Sequence, residues 1–190
     1  MCGRYSLAPD ESAEIMNIVR EVQSRFGAAS IRTGEIYPTN PAPVLLAEGP
    51  GAPAPKPLIW GFPKFRGSGV VINARGETAL NKPMFRKSVL ERRCVVPTSG
   101  FYEWDKSKQK YLFRLPECDT LYLAGLWNSF AGEERFTILT TAPNDTIINV
   151  HDRMPVLLLP EEVEPWLQDT GMAVEKLTAR QPDLVHQLVS

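Results

Sequence analysis

Proline constrains this chain more than any other residue type: 17 of the 190 positions carry it, spread from one end to the other. Each proline fixes its own φ and removes a backbone donor, so a chain interrupted this often favours short strands, turns and loops over long helices. One helix is still expected early, because Ile15, Ile18, Val19, Val22 and Phe26 recur at spacings of three and four within residues 10–27, and Gly27 supplies a stop. Residues 34–68 are crowded with Pro and Gly around short β-like pieces at 43–47 and 58–60. The run GVVIN at 69–73 reads as a strand that delivers Asn73 and Arg75 at its end, and Pro83 opens a short helix over 84–92. Five further strands follow at 94–97, 100–104, 111–115, 121–127 and 136–141, divided by turn residues in the manner of antiparallel pairing. After a last apolar run at 156–159, Pro160, Glu161 and Glu162 begin a helix carrying Trp166 and Leu167. The expected fold is α+β, a single domain over residues 1–190 with a curved or barrel-like antiparallel β core and helices at its edges.

Hydrophobic residues make up 43% of the chain and charged residues 23%, which excludes the composition of a disordered segment. No apolar run reaches about 18 residues and the first residues lack the basic flank of a secretory signal, so the expectation is a cytoplasmic protein with no membrane association. Cys2, Cys94 and Cys118 form no CxxC pair, which argues against a disulfide framework and against a zinc site; no metal and no cofactor are expected. A net charge of −1 gives no overall attraction for nucleic acid, so any such contact needs a local basic patch.

The chemistry starts at Cys2. Removal of Met1 would leave an exposed N-terminal aminothiol with an amine of pKa about 7.7–8.0 beside a thiol near about 8.5. An aldehyde forms an imine with such an amine, and the thiol then closes a thiazolidine ring. His151, one of two histidines, sits in His151-Asp152-Arg153-Met154-Pro155 and suits proton transfer near neutral pH. The other, His186, reads as structural. Glu103 lies among aromatics in Gly100-Phe101-Tyr102-Glu103-Trp104, where desolvation raises a carboxyl pKa toward the range of a general acid or base. Alternation puts Phe101 and Glu103 on one face. Asn73 and Arg75 share a strand face, with the Arg fork suited to a phosphate.

Together with Trp60-Gly61, Glu77-Thr78, Arg93-Cys94-Val95-Val96-Pro97, Ala124-Gly125-Leu126-Trp127 and Thr140-Thr141-Ala142-Pro143-Asn144, these pieces run in order from residue 2 to residue 155. In that order they resemble the SRAP family, the SOS response-associated peptidases or abasic-site processing proteins. The resemblance implies a protein of the DNA damage response that binds single-stranded DNA, or a single/double-strand junction, at an abasic site. It implies loss of Met1 and a covalent thiazolidine DNA-protein crosslink at Cys2, with Asn73, Glu103 and His151 as the other catalytic residues. Thiol autopeptidase and DNA lyase activities are further implications. DNA contacts are expected at Arg4, Arg75, Arg153, Trp104 and Thr140. The family's base-stacking wedge follows its Trp-Gly motif, and here Phe62 or Phe65 would supply it. A monomer is expected. Two other classes fit Cys2 and the basic residues on their own: an N-terminal-nucleophile amidase or peptidase, and a reader of modified bases.

Overall fold

A computed structural model describes residues 2–47, 49 and 52–189; Met1, whose removal the aminothiol chemistry requires, lies outside them. The strands in chain order are β1 (Tyr5–Leu7), β2 (Gly34–Ile36), β3 (Pro41–Leu46), β4 (Ala54–Trp60), β5 (Phe62–Pro63), β6 (Val70–Val71), β7 (Asn73–Arg75), β8 (Arg93–Thr98), β9 (Gly100–Trp104), β10 (Lys110–Arg114), β11 (Leu121–Phe130), β12 (Glu133–Thr141), β13 (Met154–Pro155), β14 (Leu157–Leu158) and β15 (Val185–Val189). The α-helices are α1 (Ala13–Phe26), α2 (Gly76–Ala79), α3 (Pro83–Glu91), α4 (Val163–Gln168) and α5 (Thr170–Lys176).

Strands β12, β11, β8, β3 and β4 pair in sequence, and β4 returns to β12, closing a five-strand barrel. Two of its joints correct the antiparallel expectation: β4 and β7 both run parallel to β12. Their registers explain why. β4 covers Arg135 and Phe136, and β7 takes over at Ile138 to Thr140, so the chain leaves β12 after Trp60 and rejoins it at Asn73. The hairpin β5–β6 is the excursion between, which splits the single strand expected over 69–73. Gly61 makes the exit: its φ is 108°, and a Cβ there would sit 2.7 Å from Val70.

A second sheet, β15-β10-β9-β1-β2, covers the barrel. Its first members read poorly from sequence, because β1 and β2 have only three residues each. Strand alternation sorts the apolar side chains into two cores. Trp60, Val96, Leu123, Phe136 and Ile138 face Tyr5, Leu7, Phe101 and Phe113 of the second sheet. The opposite faces, Val95, Ala124, Leu126 and Leu139, pack against Phe85, Val89 and Trp166 of the helices. Helix α1 starts where Ser12 accepts from the Ile15 N–H at 3.2 Å, and buries Ile15, Val19 and Val22. Phe26, placed by periodicity on that stripe, is 41% exposed because the helix ends there at Gly27.

Candidate active site

The four residues expected to carry chemistry come from four places and meet where the second sheet joins the barrel. Cys2 precedes β1, Asn73 opens β7, Glu103 lies in β9, and His151 ends the loop 142–153 between β12 and β13. The Asn73 amide donates to the Cys2 carbonyl oxygen at 2.9 Å, tying the chain's first residues to the barrel. His151 Nε2 stands 3.7 Å from Glu103 Oε2. Glu103 acts electrostatically on the Cys2 thiol, which completes the group.

Burial sets the protonation states. The Cys2 side chain is fully buried, with Sγ 3.8 Å from the Arg4 carbonyl oxygen. The expectation of an exposed, partly ionised thiol is therefore corrected: desolvation, and then the Glu103 carboxylate, push the thiol well above its usual range. Glu103 is 3% exposed. Burial raises its carboxyl to about 7, with Asp152 adding in the same direction. Burial lowers the His151 pKa, so the imidazole is neutral. Its Nδ1 accepts from the Arg153 backbone N–H at 3.1 Å, which leaves the ring proton on Nε2, facing Glu103. The 3.0 Å approach of Asp152 to Nδ1 is accordingly no ion pair in this state. The site thus holds a buried thiol, a carboxyl that exchanges protons near neutral pH, and a neutral imidazole beside it.

The loop that carries His151 is pinned by Asn144 of the Thr140-Thr141-Ala142-Pro143-Asn144 motif. Asn144 Nδ2 donates to the Pro182 carbonyl oxygen at 2.8 Å, and its Oδ1 accepts from the Thr146 N–H at 3.1 Å. Sequence offered no reason for this Asn, because its partner is 38 residues away. His186 packs on Phe113 and edge-on to Tyr111 at ring distances of 5.2 and 5.5 Å.

The residues expected at DNA fall into distinct settings. Arg75 is exposed and makes no ion pair among the described residues. Arg4 lies between the rings of Tyr37 and Trp104, at 4.2 and 4.9 Å, and pairs with Glu35 at 3.2 Å. Lys110 also pairs with Glu35 and lies 4.1 Å over Tyr102. Glu35 and Lys110, which surround Arg4 and Tyr102, were not singled out in the sequence, since cross-strand neighbours on β2 and β10 leave no local pattern. Arg153 is held by Glu77 and by the Thr140 carbonyl. Phe65 is 88% exposed. Two expectations are corrected by burial: Phe62 is fully buried between Phe85 and Phe130, and Thr140 is fully buried in β12, so neither reaches a strand of DNA in this structure.

Residues 1–189 match the sequence profile of the SOS response associated peptidase (SRAP) family. The chain belongs to the SRAP family. Curated relatives include the abasic site processing protein YoqW of Bacillus subtilis, 34% identical over 189 residues, covering 88% of this chain and 80% of that protein. The abasic site processing protein YedK of Escherichia coli is 26% identical with the same coverage of each. Among solved structures, a protein from Bacteroides thetaiotaomicron superposes with a TM-score of 0.79 at 22% identity, over 100% of this chain and 92% of that one, which supports the shared fold. No helix among the described residues of this SRAP chain is long and apolar enough to cross a membrane.

Proposed function

We propose that this chain processes abasic sites in single-stranded DNA, trapping the ring-opened sugar aldehyde at Cys2 once Met1 is removed. The convergence of Cys2, Asn73, Glu103 and His151 carries this reading, and the names of the SRAP relatives agree with it.

The protonation states suggest an order of steps. The buried thiol is a poor first nucleophile, whereas a freed α-amine of pKa about 7.7–8.0 is partly neutral at physiological pH. The amine therefore adds to the aldehyde carbon, the carbinolamine loses water, and an imine results. Glu103 supplies the proton that turns the leaving hydroxyl into water, and as a carboxylate it then takes the thiol proton. The imine formed in this way keeps its nitrogen proton and is positively charged; the sulfur adds to its carbon, the thiol proton stays on Glu103 and restores the acid form, and a thiazolidine forms with net loss of one water. Neutral His151, with its N–H toward Glu103, serves the sugar hydroxyl released when the hemiacetal opens. Asn73 keeps the Cys2 end in place. Loss of Met1 by self-cleavage and a lyase step through the imine, which acidifies the neighbouring sugar carbon, belong to the same proposal.

For the strand, exposed Arg75 is the foremost phosphate contact, Arg4 and Trp104 offer a stacked cationic surface, and Phe65 is the wedge in place of Phe62. Incubation with an abasic single-stranded oligonucleotide tests the proposal. A covalent band that survives denaturation and vanishes in Cys2→Ala is expected; no band from protein already lacking Met1 would sink it.

A further inference from the structure

Glu77, in the Asn73-Ala74-Arg75-Gly76-Glu77-Thr78 segment, has no part in the chemistry above. We infer that Glu77 is a positioning residue that sets the tautomer and placement of His151 by holding Arg153. The inference rests on the abasic-site reading only for the step that His151 serves.

Four observations lead there. Glu77 stands in the first turn of α2, and α2 is seated by Gly76, where any Cβ would run into the Leu177 carbonyl oxygen. From that seat both Glu77 carboxylate oxygens take the Arg153 fork end-on, at 2.6 and 2.9 Å, while Arg153 Nη2 also donates to the Thr140 carbonyl at 2.8 Å. The Arg153 side chain is only 13% exposed, so this bidentate pair with an added carbonyl bond differs from a loose surface ion pair. The backbone N–H of the same Arg153 is the donor that occupies His151 Nδ1 at 3.1 Å.

The backbone holds the chain on either side of this donor rather than at it: the His151 N–H donates to the Ile147 carbonyl and the Val156 N–H to the Leu139 carbonyl, both at 2.9 Å. The strand that follows, β13, pairs with β12 at two positions, and one of them is Pro155, which has no N–H to give. The Asp152 carboxylate, 89% exposed and 3.0 Å from Nδ1, competes for that nitrogen. If Arg153 drifts, Asp152 draws a proton onto Nδ1, and Nε2 no longer presents its N–H to Glu103. Glu77 thus reaches the site through the Arg153 side chain, its backbone and the ring tautomer.

Nitrogen-15 NMR of the imidazoles reads this directly, because the chain has two histidines and His186 serves as an internal reference. In the wild type at pH 8, His151 is expected to show a protonated Nε2 and an unprotonated Nδ1. Glu77→Gln should move both His151 signals toward the other tautomer and slow crosslinking about tenfold, roughly the loss of one oriented hydrogen bond at the transition state. Glu77→Asp, which keeps the charge, should recover part of both effects. Arg153→Lys, which removes the fork, should give the same spectral change if Glu77→Gln folds poorly. An unchanged His151 spectrum in folded Glu77→Gln would overturn the inference. The NMR arm needs no DNA, so a wild type that crosslinks nothing would refute the abasic-site reading while the tautomer result still judged Glu77.

Discussion

A carboxyl that is 3% exposed, with a pKa raised to about 7, is a cost to the folded state whenever it ionises. The folded form of Glu103 holds its proton more tightly than the unfolded chain, whose carboxyl titrates at 4.5. Its contribution to stability is therefore greatest below pH 4.5 and is lost as pH rises through about 7. Glu103→Gln should be nearly neutral for stability near pH 4.5 and stabilising by up to about 3 kcal/mol above pH 7.5, as melting curves across that range would register. The same substitution should slow crosslinking far more than it weakens DNA binding; equal losses would mark Glu103 as structural. At this scale the identities of Cys2, Asn73, Glu103 and His151 were legible in sequence through the family resemblance. The desolvation of Glu103 among its aromatic neighbours was legible too, but the burial of Cys2 was not. The Cys2 thiol is desolvated by residues that sequence distance separates from it, and so the expectation of an exposed, partly ionised thiol failed.

Phe62 and Phe65 show how an element decides what a residue can do. Three positions apart in the hairpin that departs between β4 and β7, one is fully buried against Phe85 and Phe130 and the other is 88% exposed. Phe62→Ala should cost about 3–5 kcal/mol of stability by denaturant unfolding, from the buried ring and the cavity left. Phe65→Ala should leave stability nearly unchanged and weaken single-strand binding, measured by fluorescence anisotropy. α2 makes a second case, since Gly76→Ala would force the Leu177 carbonyl aside. That change should cost at least about 2 kcal/mol and disturb the Glu77 seat with it. The expected strands at 94–97, 100–104 and 136–141 all appear, because each is an apolar run with clear turn residues around it. The split of 69–73 into β6 and β7 did not show, since the break follows from parallel pairing with β12, a partner some 65 positions downstream (Asn73 to Ile138).

Across the whole molecule, a net charge of −1 conceals where cations stand. Arg4 and Arg153 each form an ion pair with a carboxylate, Glu35 and Glu77, whereas Arg75 forms none among the described residues. Arg75→Ala should therefore lower single-strand affinity and reduce the slope of log K against log salt by about 1. An unchanged slope would remove Arg75 from the phosphate contacts. The barrel was foreseen as a curved antiparallel core, but its closure depends on β4 meeting β12 in parallel, which no local pattern encodes. The parallel pairing of β7 with the same strand is what brings Asn73 to Cys2. Intact-mass spectrometry of the adduct with an abasic oligonucleotide, formed without reductant, tests the central claim most directly. The account predicts the protein without Met1 plus the oligonucleotide minus one water, with the attachment mapped to Cys2. Attachment at a lysine, or an equal yield from Cys2→Ser, would contradict it.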